Sequence, residues 1–209
     1  MATVLKILAI DDEPGMRAGI PRALRHFVVR VPSFDEEVNF EIDTAGSAEE
    51  GIEKIATFEP DLILLDHKLP GMSGLDVLRW IQDHDLDLLT VMMTAYASLD
   101  TAIKATKRGA YDFLAKPFTP VELKSAVRKA TKHLILRRKA RALAEERRQV
   151  RFQFISVLAH ELKAPLGAIE GFLQIVNDRS AGDDPKIYAE LIDRSMARVR
   201  GMRKLIYDL

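Results

Sequence analysis

Asp11 and Asp12 stand side by side after the apolar run Val4–Ile10, and Asp66 follows a second run, Leu62–Leu65. Thr94 closes the run Leu88–Met93, and Lys116 closes Tyr111–Ala115, directly before Pro117. Apolar runs this short read as buried strands. If those strands are parallel, all five residues gather at one edge of a sheet. Three carboxylates crowded together repel one another unless a cation neutralises them, and a hard ion such as Mg²⁺ suits oxygen ligands. Acids, a metal ion, a hydroxyl and an ammonium make a site for a phosphoryl group. One carboxylate attacks, while metal and lysine stabilise the developing charge. A lone acid at a strand end is more often a helix cap or a solvated turn. Five such groups at the ends of alternate strands are poorly explained that way.

A second centre of chemistry is His160. At about 100° per residue it sits about 160° from Leu162, so it faces away from the apolar stripe of its helix. Glu161 follows directly and can take the proton from one ring nitrogen, leaving the other nucleophilic. Ala164, Gly167 and Gly171 continue along the histidine's face as a track of small residues open to another protein. Pro165 cannot donate to the carbonyl of Glu161, so a kink is expected one turn past the histidine.

The elements that must position these residues are legible from periodicity. Residues 1–136 alternate five short apolar runs, Phe40–Ala45 being the remaining one, with stretches of helical spacing such as Met16/Ile20/Ala23/Phe27, Ile52/Ile55/Ala56 and Leu75/Leu78/Ile81. That alternation predicts a doubly wound (βα)5 α/β domain with a parallel sheet, its ligands at the carboxyl ends of the strands. The stretch 28–39 is longer than a minimal connection and is expected to be a surface excursion. Leu123, Val127, Ala130 and Leu134 suit a helix covering one face of the sheet. Leu136, Leu143, Val150 and Val157 then recur every seven residues, which predicts a helical coiled-coil linker over 137–151. That stretch holds seven Lys/Arg against two Glu, read as the solvated outside of the coiled coil.

From residue 152 the pattern is all-α. Ile155, Leu158, Leu162, Leu166, Ile169, Leu173 and Val176 form one amphipathic stripe. Gly182 allows a turn, and Asp184 before Pro185 reads as an N-cap with proline at the first helical position. Tyr188, Leu191, Ile192, Val199, Met202, Ile206 and Leu209 mark a second helix. Two such helices make an antiparallel hairpin over 152–209 that cannot close a core alone, so two chains are expected to form a dimeric four-helix bundle.

Composition narrows the classes. Among 209 residues, Lys+Arg and Asp+Glu both number 31 and no cysteine occurs. Zero formal net charge gives no overall pull toward nucleic acid or an anionic membrane surface. The absence of cysteine removes disulfides and thiolate chemistry, and suits a reducing compartment. No apolar run approaches the roughly 20 residues needed to span a bilayer, and the N-terminus has no signal-peptide pattern. A cytoplasmic protein with no nucleic-acid partner is the expectation.

The first half resembles the receiver domains of bacterial response regulators, on LAIDDE (8–13), LILLDHKLPGMSG (62–74), MMTAYAS (92–98) and GAYDFLAKPF (109–118). The resemblance implies that Asp66 is the phosphoacceptor. It implies Mg²⁺ held by Asp12, Asp66 and the backbone carbonyl of Lys68, with Asp11 acting through water. It makes Thr94 and Lys116 the holders of phosphoryl oxygens, Phe113 a switch residue and the Lys116–Pro117 bond cis. The stretch FISVLAHELKAPLGAIEGF (154–172) resembles the dimerisation and phosphotransfer domain of sensor histidine kinases, which implies His160 as the phosphohistidine and Glu161 as its acid/base partner. Ala164 departs from the Thr or Asn common in kinases that also dephosphorylate their partner.

Such kinases continue with an ATP-binding domain, and none of its asparagine or glycine-rich motifs is found here. The helical pattern is still running at Leu209. The expectation is a fragment of a hybrid histidine kinase in two-component signalling, with ATP entering only through that further domain. Its partners would be a second copy of the chain, the ATP-binding domain, an upstream phosphodonor and a downstream response regulator. The alternatives are a natural phosphotransfer protein without a kinase domain, a DNA-binding response regulator using 137–151, and an aspartyl-phosphate hydrolase.

Overall fold

The computed structural model describes residues 2–95 and 109–207, which divide into two compact units, Met1–Lys139 and Ala140–Leu209. In the first unit β1 (Ala2–Ile10), β2 (Val29–Val31), β3 (Glu36–Ala45), β4 (Leu62–Asp66), β5 (Leu89–Thr94) and β6 (Asp112–Ala115) form one six-stranded sheet. Its order is β2-β3-β1-β4-β5-β6. All neighbours are parallel except β2 against β3. Helices α1 (Pro14–Leu24), α2 (Ala48–Phe58) and α3 (Gly74–Asp83) connect the strands. The helix expected between the last two parallel strands falls on 96–108, outside the described residues, as do Tyr96–Ser98 of MMTAYAS and Leu209.

Period-two alternation sorts each central strand onto two faces. Leu5, Ile7 and Ala9 of β1, with Leu62 and Leu64 of β4, join Ile20 and Leu24 of α1 in one core. Leu123, Val127, Ala130 and Leu134, from the start of α4 (Pro120–Asn177), close the same face. Leu8, Ile10, Ile63 and Leu65 point the other way, onto Ala48 and Ile55 of α2 and Val77, Leu78 and Ile81 of α3. Both faces are covered, which explains why β4 and β5 are buried along their whole length.

The sheet refines one expectation. The stretch 28–39 is exposed over most of its length, as expected, but it also contains the edge strand β2. Val29 and Val31 are buried, Arg30 points out to pair with Glu37 at 2.7 Å, and a 3₁₀ turn at Pro32–Phe34 returns the chain into β3. Asp35 closes that turn in the left-handed region at φ 49°. The parallel sheet therefore carries an antiparallel edge strand, and β3 begins four residues before Phe40. A three-residue strand is too short for periodicity to reveal.

The basic run after residue 136 is also not wholly solvated. Arg137 pairs with Asp87 at 2.9 Å, Arg138 with Asp61, and Lys139 with Glu36 at 3.4 Å. The three acids lie at or just before the N-terminal ends of β5, β4 and β3. These cations therefore bind the sheet edge opposite to the one carrying Asp66.

In the second unit α4 passes through Pro165 to Asn177, and α5 (Pro185–Tyr207) follows a short turn. Arg179 takes φ 49° and Gly182 φ 95° in that turn. Asp184 caps α5, accepting from the Lys186 N–H at 2.9 Å, with Pro185 opening the helix as the sequence implies. No helix among the described residues is long and apolar enough to cross a membrane.

The buried edge strand is open to test. Val29→Ala should lower unfolding free energy by more than about 1 kcal/mol in urea denaturation, since it deletes core methyl groups. A surface position would move it by no more than about 0.5 kcal/mol.

Candidate functional site

Register brings the predicted residues to one edge. Ile10 is level with Leu65, so the next residues, Asp11 and Asp66, lie side by side on adjacent strands. Thr94 is level with Ala115, and Lys116 comes one residue further along. Strand order reverses between β1 and β4, the crevice where doubly wound sheets take ligands.

Asp11, Asp12 and Asp66 present carboxylate oxygens within 4.8 Å of one another. Asp11 is fully buried, Asp66 and Thr94 nearly so, and Asp12 is exposed. The Lys116 ammonium lies 2.7 Å from Asp11 Oδ2, 2.8 Å from Asp66 Oδ2 and 3.2 Å from Glu13 Oε1. Nζ donates a hydrogen bond to Asp66 Oδ2, whereas its approach to Asp11 Oδ2 is a charge contact off the hydrogen-bond direction. Burial pushes the Asp11 carboxyl above its ordinary range, against the pull of Lys116. Burial also lowers the affinity of Lys116 for its proton, but its pairing with the Asp11 and Asp66 carboxylates outweighs this and leaves it above the ordinary lysine range.

The surrounding backbone wraps this edge. The Glu13 N–H donates to Asp11 Oδ1 at 3.0 Å and the Lys68 N–H to Asp66 Oδ1 at 3.3 Å. Gly71 takes φ 77°, a turn that a side chain would strain. Gly74 approaches so closely that a Cβ would stand 2.0 Å from the Asp66 carbonyl oxygen. The Lys116–Pro117 bond is cis, as the resemblance implies. Phe113 lies on β6, the strand that leads into Lys116, and is 44% exposed.

Three nearby residues were not singled out by sequence: Glu13, Arg17 and His67. Arg17 donates to the carbonyls of Asp11 and Asp12, and His67 Nδ1 is buried with no hydrogen-bond partner. Adjacency to the acids was the signal for Glu13 and His67. For Arg17 it was a cation in the opening turns of a helix, where the dipole disfavours it.

In the second unit His160 and Glu161 are both exposed. Ala164, Gly167 and Gly171 are exposed too, and a Cβ added to either glycine would meet nothing within 4 Å. The open track expected beside the histidine is present.

The response regulator receiver domain model matches residues 7–128. The chain belongs to the response-regulator receiver family. The His Kinase A (phospho-acceptor) domain model matches 150–209. Regulatory protein LuxO of Vibrio cholerae is 42% identical over 104 residues, 48% of this chain and 23% of its own length. The nitrogen assimilation regulatory protein NtrX of Azorhizobium caulinodans is 30% identical over 203 residues, 93% of this chain and 41% of its own length. The chain thus spans less than half of these relatives. The crystal structure of the signal receiver domain of a putative LuxO repressor from Vibrio parahaemolyticus covers 65% of this chain and 96% of its own, with 29% identity and a TM-score of 0.58. That of NtrX from Brucella abortus covers 68% of this chain and 30% of its own, with 30% identity and a TM-score of 0.58.

A receiver domain ahead of a histidine phospho-acceptor region makes this a protein of two-component phosphorelay signalling. Receiver domains generally bind Mg²⁺ at an acidic pocket, and the cluster here fits that ion. It offers hard oxygen donors from three carboxylates gathered within 4.8 Å.

The close approach at Gly74 predicts that Gly74→Ala, by driving Cβ into the Asp66 carbonyl, destabilises the receiver by about 1–3 kcal/mol. Thermal denaturation checks this. Gly167→Ala, with open space around it, should show no comparable loss.

Proposed function

We propose that the chain carries two phosphoryl stations, Asp66 in the receiver and His160 in the phospho-acceptor region, and that it works in a hybrid histidine kinase system. The observation that carries this is the contact of Lys116 with both Asp11 and Asp66 at 2.7 and 2.8 Å, on a buried acidic edge ending in Thr94. Asp12, Asp66 and the Lys68 carbonyl, with Asp11 through water, would hold Mg²⁺, which supplies charge neutralisation at the phosphoryl oxygens. An Asp66 oxygen attacks the phosphorus of a phosphohistidine donor. A P–O bond forms as the P–N bond breaks, and the electron pair returns to the imidazole nitrogen, which takes up a proton. The Lys116 ammonium and Thr94 hydroxyl hold the phosphoryl oxygens through transfer, and Phe113, exposed on the strand that leads into Lys116, reports the change as a switch.

At the second station Glu161 accepts a proton from one nitrogen of the His160 ring, so the other attacks the γ-phosphorus of ATP presented by an ATP-binding domain. A P–N bond forms and ADP leaves. Exposure of His160 and the open track beside it supports approach by such a domain. Phospho-acceptor domains of this kind typically form dimers. Dimerisation of this chain through its hairpin is supported by Ile155, Leu166, Leu173 and Ile192, all large apolar residues left exposed in one copy. The names of the LuxO and NtrX relatives favour a response regulator only weakly.

The chain mixed with a histidine-kinase ATP-binding domain and γ-labelled ATP should acquire acid-labile label at His160 and base-labile label at Asp66. Asp66→Asn should remove only the second, and His160→Gln should remove both, because in this mixture the Asp66 label arrives from phosphorylated His160. Base-labile label surviving in Asp66→Asn would refute the assignment.

Ala164 offers neither hydroxyl nor amide to orient water one turn past His160. Phosphatase activity toward a phosphorylated receiver should therefore be weak and rise in Ala164→Thr, measured as release of inorganic phosphate. Strong release by the unmodified chain would contradict this.

A further inference from the structure

The turn between β1 and α1 is tied by a cation that the phosphoryl chemistry does not use. Arg17, partly buried on α1, donates from Nη1 to the carbonyl oxygens of Asp11 at 2.8 Å and Asp12 at 2.7 Å. The remaining groups of the turn are also fixed: the Asp11 N–H donates to the Ala45 carbonyl at 3.0 Å, and the Glu13 N–H to Asp11 Oδ1 at 3.0 Å. Gly46, just past β3, leaves room for the guanidinium, since a Cβ there would stand 3.3 Å from both Cζ and Nη1 of Arg17.

The helix itself gains nothing from this arginine. Its first turn holds no acid, and a positive charge near a helix N-terminus opposes the macrodipole. The gain lies at the acidic edge. Lys116 occupies carboxylate oxygens, whereas Arg17 brings its charge to the same turn through main-chain acceptors only. It leaves the side-chain oxygens of Asp11 and Asp12 available to a metal ion. Pinning two successive carbonyls also fixes the peptide planes on both sides of Asp12, and with them the directions in which the two carboxylates leave the backbone.

We propose that Arg17 is a positioning residue for the cation site: bridging the carbonyls of Asp11 and Asp12, with Gly46 behind it, it presets both carboxylates to take a divalent ion together with Asp66. This rests on reading that cluster as the Mg²⁺ site. Outer groups that orient metal ligands commonly change metal affinity about 10- to 100-fold when removed.

Calorimetric titration of the whole chain with Mg²⁺ tests it, with Asp12→Asn, Arg17→Met, Arg17→Lys and Gly46→Ala beside the unmodified protein. Arg17→Met should weaken Mg²⁺ binding by about 10-fold or more. Arg17→Lys should not restore it, because an ammonium keeps the charge but sits on a side chain one bond shorter than the one that carries Nη1 to both carbonyls. Gly46→Ala should weaken binding in the same direction by crowding the guanidinium. Unchanged affinity in Arg17→Met, or full restoration by Arg17→Lys, would overturn the proposal. If Arg17→Met does not fold, unchanged affinity in Gly46→Ala overturns it. An unmodified chain whose heat of Mg²⁺ binding survives in Asp12→Asn would instead sink the reading of the cluster, and the role of Arg17 with it.

Discussion

Parallel pairing of β1 with β4 forces Asp11 and Asp66 together, and the rest of the acidic edge answers the repulsion that follows. Two like charges about 4 Å apart cost about 4 kcal/mol at an effective dielectric of about 20. Three carboxylates within 4.8 Å, two of them buried, cannot be left without a counter-charge. Lys116 neutralises one formal charge and leaves two, the charge of a divalent cation. The same contacts hold the lysine charged, although burial alone would favour its neutral form. On the proposed function a phosphoryl group would bring further negative charge to this edge, so the cations that stabilise the acids would also be those that transfer requires. Fold stability and chemistry share one set of contacts here.

What the sequence reveals depends on whether the determining pattern is local. The doubly wound sheet is legible because its central strands are buried on both faces, β4 and β5 along their whole length, so the apolar run is continuous and the residue that ends it conspicuous. Asp11, Asp66 and Thr94 are found by that rule, and Lys116 by following the short strand β6, whose residues alternate between partly buried and exposed. β2 escapes it: Val29-Arg30-Val31 is too short to carry a period, and its burial comes from pairing with Val38 across a turn. Arg137, Arg138 and Lys139 look like solvated charge in sequence, and only the fold shows that Asp87, Asp61 and Glu36 meet them. Arg17 is hidden for a similar reason, because its acceptors are main-chain carbonyls and leave no trace in residue type.

The helix α4 serves two environments in turn. From Leu123 to Ile135 its apolar residues are buried in the receiver core. From Leu136 onward its large apolar residues, Leu143, Val150 and Val157 among them, are mostly exposed. The stripe changes its partner where the receiver ends, at the three basic residues bound to the sheet's N-terminal edge. Beyond them the exposed imidazole of His160 contrasts with the buried Asp66. On the proposed reading, a phosphohistidine at His160 would be met by other proteins, whereas an acyl phosphate at Asp66 would form in a crevice that supplies its own counter-charge.

The central claim is that crowded carboxylates make the acidic edge a cation site. Thermal denaturation of the unmodified chain and of Asp12→Asn, each with and without Mg²⁺, tests it most directly. The prediction is that Asp12→Asn without Mg²⁺ is more stable than the unmodified chain, because one repelling charge is gone, and that Mg²⁺ raises the melting temperature of the unmodified chain alone. A variant that is less stable without Mg²⁺, and that Mg²⁺ stabilises as much as the unmodified chain, would contradict it.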